Sequence, residues 1–370
     1  MPTPINISAS RGAVILGLSK WSTPVNVWLQ IMEARQPGFC AKNNYDLPVV
    51  EDNAPMRWGR AFESAIIELA ERRQGHEIFM REKLGLYYKD EDPIKNCGVL
   101  GSGGYKSDYK YAQITCHIDG MYEDIPGTLH EGKTASYFSW ADNYGDPGTD
   151  RVPIEYQIQC QHQMICTGAE KVILSVLVFP RRVEDWEEMG WIINNENEKY
   201  FLMIRDKIDE HLKENLRGFV VVNPATWAHQ LSQMGYFHQY EIPANPATQE
   251  RMIADYTDWW EKYVIGRTPP EPQSYADIKA LMREPKGTII ASPEIESLAA
   301  ERKQIMSEIK GTGPLAKRSD AIKVEILDYM RTHGADAVDD DSVDKMILRD
   351  SAGRKLGSYG KNKNGVLYFR

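Results

Sequence analysis

The nine residues Lys171–Phe179 read Lys-Val-Ile-Leu-Ser-Val-Leu-Val-Phe. A strand with one wet face alternates apolar and polar residues. This run is apolar on both parities, so it reads as a strand covered on both faces. Covering it takes layers of further secondary structure, and the chain supplies them. Apolar residues recur at helical spacing over 13–18 and 25–34, where Thr23-Pro24 supplies an N-cap and a first-turn proline. A stronger helix is predicted over 56–73, with Phe62, Ala65, Ile66, Leu69 and Ala70 on one stripe. The pattern turns to strands over 77–134, with Ile114, Cys116, Ile118 and Tyr122 alternating ahead of a Pro126-Gly127 turn. A helix over 153–167 precedes the buried strand, and the sum is a mixed α/β core.

Further on, 194–216 reads as a long charged amphipathic helix and 249–264 as another, carrying Trp259-Trp260, whose default role is core packing. The break Arg267-Thr268-Pro269-Pro270-Glu271-Pro272 reads as a linker. Two helices follow over 293–310 and 316–333 as an antiparallel hairpin, and the chain ends in short strands turning at Ala352-Gly353 and over 362–365. The layout expected is one domain over 1–266, a Pro-rich linker over 267–291, and a C-terminal helical hairpin with a basic, β-rich end over 292–370.

Net charge is −9, which argues against a protein that coats DNA by phosphate neutralisation. Its distribution is uneven. From residue 342 onward seven basic side chains face two acidic ones, a balance of +5 that leaves −14 for the other 341 residues. Five cysteines with no C-x-x-C pair read as reduced thiols rather than disulfides, a zinc ribbon or an iron-sulfur site. The N-terminal Met-Pro-Thr-Pro-Ile-Asn has no signal-peptide character and no apolar run is long enough to span a membrane, so a soluble, cytoplasmic protein is expected.

Chemistry concentrates in Asp119-Gly120 and Glu131-Gly132-Lys133. Alternate strand residues share a face, so Glu131 and Lys133 point together. With the turn centred near Ile125, residues whose numbers sum to 250 pair across the hairpin, and Asp119 then faces Glu131 with Cβ atoms roughly 5 Å apart. Two carboxylates so close call for a compensating cation, and hard oxygen ligands favour Mg²⁺, with Mn²⁺ a natural substitute.

This arrangement resembles the PD-(D/E)XK nuclease motif. The series Ser8-Ala9-Ser10-Arg11, Gly17-Leu18-Ser19-Lys20-Trp21-Ser22-Thr23-Pro24, Trp58-Gly59-Arg60-Ala61-Phe62-Glu63, Asp119-Gly120, Glu131-Gly132-Lys133 and Tyr156-Gln157-Ile158-Gln159-Cys160-Gln161 with Met164 is similar to the YqaJ-type viral recombinase family, which includes lambda exonuclease. The likeness covers roughly 5–220. It implies a restriction-endonuclease-like core, a mixed central sheet flanked by helices, with the exonuclease domain in 1–266. It further implies that Asp119, Glu131, the Gly132 carbonyl and Glu63 hold the metal, and that Lys133 orients or helps deprotonate the attacking water. Gln159 matches the motif glutamine, and Ser10 with Arg11, Arg57 or Arg60 would hold a substrate phosphate. The activity implied is Mg²⁺-dependent exonucleolytic digestion of double-stranded DNA ends, 5′-to-3′, in a phage or prophage recombination system. A single-strand annealing partner and a ring-shaped homo-oligomer go with it.

The chain departs from the family pattern at Ile118, where proline is usual, and at Gly132, where an apolar residue is usual. Gly132 weakens β propensity and packing, which leaves a second reading: a nuclease-fold DNA-binding protein of weak or no catalysis, or an interaction platform. Glu63 is either a ligand or the solvated edge of its helix. Gln159 and Gln161 are two apart on a helix and cannot share a face. His117, His130 and His162 tempt a zinc reading, but His130 falls on the strand face opposite Glu131.

Overall fold

The computed structural model describes residues 6–49, 52–80, 97–99, 104–107, 114–196, 199–204, 221–308, 313–334, 345–362 and 364–369. Two compact units emerge, one from 6–13 with 50–257 and the other from 14–49 with 258–370.

The first unit is built on a five-stranded mixed sheet in the order Phe237–Pro243, Lys171–Phe179, Thr128–Ser136, Gly120–Tyr122, Ile78–Met80. Lys171–Phe179 lies between two strands, parallel to Thr128–Ser136 and antiparallel to Phe237–Pro243, and Val172 to Phe179 are buried throughout. The apolar run thus does what its composition demands. Helix Ala54–Gln74 covers one face. Asn53 caps it by accepting from the Met56 N–H, Pro55 occupies its first turn, and Gly75 closes it at φ 72 in the left-handed region. Its stripe of Trp58, Phe62 and Ile66 joins Leu177, Phe179 and Phe237 in the core. Trp58 packs parallel to Phe62 and edge-on to Phe179, and burying each such ring contributes about 1.5–3 kcal/mol. Helix Ile154–Thr167 packs against strand Ile114–His117 of a second sheet, ordered Ile7–Ser8, Ile114–His117, Gly104–Ser107, Cys97–Val99.

Over 194–196 and 199–204 the structure departs from the expected helix. Strands Trp191–Glu196 and Lys199–Ile204 pair antiparallel, Trp191 opposite Ile204. The charged residues suit a helix locally, and strand pairing overrides that preference. Residues 205–216 of that expected helix lie outside the described residues.

In the second unit, helix Pro24–Arg35 starts at Thr23, as read from the sequence. The Trp28 indole N–H donates to the Tyr263 carbonyl at 2.7 Å, and the Thr23 hydroxyl donates to Asp277 Oδ1 at 2.6 Å. Segment 267–291, read as a linker, contains helix Tyr275–Leu281, opened by a Ser274/Asp277 capping box, and strand Gly287–Ile290. That strand runs parallel to Lys345–Arg349 in a four-stranded sheet continued by Lys355–Lys361 and Leu367–Phe369. Helices Pro293–Glu308 and Pro314–Thr332 form the expected pair, linked by Arg318 and Glu301, and bury Ile322, Ile326 and Met330 against Leu348 and Tyr359. Trp259 and Trp260 are buried, and the Arg35 guanidinium lies 5.1 Å from the Trp260 ring centre.

Candidate active site

Hairpin register follows the sum-of-250 rule: Gly120 pairs with His130 and Met121 with Leu129. Asp119 sits at the junction between strands Ile114–His117 and Gly120–Tyr122, one step before that pairing and level with Glu131. Its Oδ2 accepts the Gly132 N–H at 2.8 Å. Gly120 has to be glycine, because a Cβ there would come within 2.3 Å of Ile78 Cγ2 and 2.9 Å of the Phe79 carbonyl.

Gly132 answers the doubt raised by its composition. A Cβ at this position would meet Ile66 Cγ2 at 3.2 Å and Asp119 Oδ2 at 3.6 Å. Its lack of a side chain lets the long helix and Asp119 close on the strand, so the packing is tight rather than weakened. Gly59 is different: a Cβ there would meet only Thr134 Oγ1 at 3.9 Å, an ordinary contact, so no close approach requires the glycine.

Glu131 is 2% exposed and its carboxylate is surrounded by donors. Lys133 Nζ and Gln159 Nε2 (2.5 Å) donate to Oε1, while Gln163 Nε2 donates to Oε2 at 2.6 Å. Gln163 is the residue that sequence reasoning missed. It lies one turn after Gln159 on the same helix face, and that i, i+4 relation to the motif glutamine was the available signal. Gln161 points elsewhere: it donates to the Pro243 carbonyl and accepts from the Asn245 N–H and the Gln249 amide.

Electrostatics follow from this crowding. Burial, and then the Glu131 charge, push the Asp119 carboxyl up to about 7 against the opposing pull of Lys133 and the Gly132 N–H. Burial works against the Lys133 ammonium, but Glu131 and Asp119 outweigh it and hold the group above the ordinary lysine value. The ammonium also lies 5.3 Å from the Tyr156 ring centre.

These groups open into a cleft of about 460 Å³ whose lining includes Ser10, Arg60, Glu63, Asp119, Glu131, Gly132, Lys133, Tyr156 and Gln159. Arg11 is half-buried and is not among the lining residues; burial lowers its pKa. Arg57 pairs with Glu187 at 2.8 Å, and Arg60, at the cleft, pairs with Asp52 at 2.7 Å. His117 lines the cleft, whereas His130 is fully buried and pushed down to about 3 by that burial. His162 is buried on another contact, its Nε2 2.9 Å from the Thr115 carbonyl. Cys40, Cys116, Cys160 and Cys166 are free thiols in the interior.

A divalent cation fits the donor set. Asp119 and Glu131 are neighbouring hard-oxygen donors whose repulsion Lys133 only partly offsets, and Mg²⁺ commonly takes one or two carboxylates and completes its shell with water and substrate oxygens. Among the described residues no group of three His, Cys, Asp or Glu side chains is arranged to hold a metal by itself; Glu63 lines the same cleft, and its charge adds to the upward push on the Asp119 carboxyl.

Comparison with known proteins places the cleft in context. The profile of the YqaJ-like viral recombinase domain matches residues 4–170. Among solved structures, the chain is similar to an alkaline exonuclease from Laribacter hongkongensis (13% identity, 71% of this chain and 90% of that one, TM-score 0.38). It is also similar to a phage-related exonuclease from Haemophilus somnus (11% identity, 71% and 96%, TM-score 0.35). No curated protein matches it. No helix among the described residues is long and apolar enough to cross a membrane. Ser10, Glu63, Asp119, Glu131, Lys133 and Gln159 all fall inside residues 4–170, the segment that is similar to the YqaJ-like viral recombinase domain.

Proposed function

We propose that this protein is a divalent-metal-dependent DNA exonuclease of a phage-type recombination system. The observation that carries the reading is the convergence of Asp119, Glu131, Lys133 and Gln159 on one cleft within the YqaJ-like domain.

Asp119 and Glu131, with the Gly132 carbonyl, would hold Mg²⁺ or Mn²⁺. The bound ion supplies an acidified water and charge neutralisation at the phosphate. Gln159 and Gln163 fix the Glu131 carboxylate from one helix. Lys133, which donates to Glu131, would orient the attacking water from beside the two carboxylates. Ser10 and Arg60 lie on the wall of the cleft, where a substrate phosphate would meet them. Arg11, next to Ser10 in the chain, remains a candidate for the same phosphate. The reading of a nuclease fold with weak catalysis rests on Gly132 and Ile118; the room that Gly132 leaves for Ile66 and Asp119 supports the catalytic reading over it.

Digestion of duplex ends, 5′-to-3′ polarity, a single-strand annealing partner, a homo-oligomer and a cytoplasmic setting belong to the proposal through the family motifs. Linear duplexes labelled on the 5′ or the 3′ end, beside a covalently closed circle, test it with Mg²⁺ present. The expectation is release of the 5′ label first and an intact circle. Cleavage of the circle would make the enzyme an endonuclease, and early loss of the 3′ label would reverse the polarity.

A further inference from the structure

Three cations from three helices meet around the aromatic edge of the C-terminal sheet, wholly within the unit formed by 14–49 and 258–370. Lys323 Nζ lies 3.3 Å from the centre of the Tyr275 ring and Lys279 Nζ 4.9 Å from it. Arg302 Cζ is 5.3 Å from the centre of the Phe369 ring, on the edge strand whose Leu367 carbonyl accepts the Tyr275 hydroxyl at 3.2 Å. All three cations are half-buried. Among the described residues none makes an ion pair within 4.0 Å, and the Arg302 Nε is buried with no hydrogen-bond partner.

Such a group is expensive to assemble. Burial lowers the Lys323 pKa, and Arg302 and then Lys279 lower it further; only the exposed Asp320 pulls the other way. Two ring faces attract these cations but do not neutralise them. Clustered cations with an unused buried donor are answered by an anion with several acceptor oxygens, which is the chemistry of phosphate. A chain of net charge −9 also has to confine its DNA contacts to local basic regions, and this cluster borders the segment from residue 342 onward with its balance of +5, where Lys345 likewise lies over Tyr368.

We propose that Lys279, Arg302 and Lys323 form a phosphate-binding site that holds a backbone phosphate of DNA, separate from the residues of the cleavage cleft. The test uses the full chain, a fluorescein-labelled short duplex and EDTA to prevent cleavage, with anisotropy read across a salt series. Lys323→Met and Arg302→Gln should each reduce the slope of log Kd against log salt by about 1, while Lys323→Arg keeps the wild-type slope. Circular dichroism checks that each variant is folded. A second arm follows the melting temperature with inorganic phosphate as the probe. If the slopes do not change and phosphate stabilises the wild type but not Lys323→Met, the site takes free phosphate and the DNA assignment is overturned. Unchanged slopes with no phosphate effect would overturn the site itself. Cleavage of saturating short duplexes should be the same in wild type and variants, so the result is independent of the cleft's own assignment.

Discussion

Gln163 Nε2 donates to Glu131 Oε2 at 2.6 Å, between side chains that are both buried. Together with Gln159 on the other oxygen, it holds the carboxylate in one orientation. A hydrogen bond to a charged group is worth about 1.5–3 kcal/mol. If that positioning is expressed in the transition state, Gln163→Leu slows Mg²⁺-dependent digestion of linear duplex roughly tenfold to hundredfold. Gln161→Leu, which loses contacts to the 243–249 segment instead, should lower the melting temperature and leave the rate of the folded enzyme close to wild type. Initial rates and thermal melts of both variants decide the matter; equal rates for Gln163→Leu and wild type would remove Gln163 from the site.

Lys133 supplies the nearest positive charge to both carboxylates. Lys133→Gln retains a donor but loses the charge, and the expected fall in turnover is about 10²–10³-fold with the fold intact by circular dichroism. Activity within a fewfold of wild type would show that its charge is dispensable.

Gly132→Ala tests the packing directly. The new Cβ meets Ile66 Cγ2 at 3.2 Å, and overpacking of this kind costs about 1–3 kcal/mol. Ile66→Ala removes the clashing atom, so the double variant should recover most of the penalty due to Gly132→Ala in a urea-unfolding cycle. Strict additivity of the two changes would mean that the strain lies elsewhere.

How much of this was legible follows from the range of each interaction. The register of Gly120 with His130 could be read because a short turn fixes it and both halves lie within a few residues. The buried strand Lys171–Phe179 announced itself by composition. Gln163 was less open: helix spacing puts Gln159 with Gln163 and Gln157 with Gln161 on shared faces, and the fold shows that the first pair faces Glu131. The division of the chain was equally hidden: Thr23 to Asp277 and Trp28 to Tyr263 tie residues more than 200 positions apart, and no local pattern encodes that.

His162 makes stability depend on pH. Its pKa is pushed down from 6.5 to about 4, first by burial, so the folded state holds the ring neutral while the unfolded chain protonates it near 6.5. The stabilisation is present above 6.5 and is lost as pH falls from there toward 4. Between pH 7 and about pH 5 this one group accounts for about 2 kcal/mol of lost stability. His162→Leu should be less stable than wild type at pH 7, yet lose about that much less on acidification, measured by urea unfolding at both values. Parallel losses in the two proteins would exclude His162 as a source of the pH dependence.

The central claim is that the cleft around Glu131 is where a phosphodiester is cut. The most direct measurement is release of acid-soluble nucleotide from linear duplex DNA, comparing wild type and Glu131→Ala with Mg²⁺ and again with EDTA. Wild type should degrade the duplex with Mg²⁺ and stop with EDTA, and Glu131→Ala should be inactive in both while remaining folded. Equal degradation by the two proteins would contradict the account.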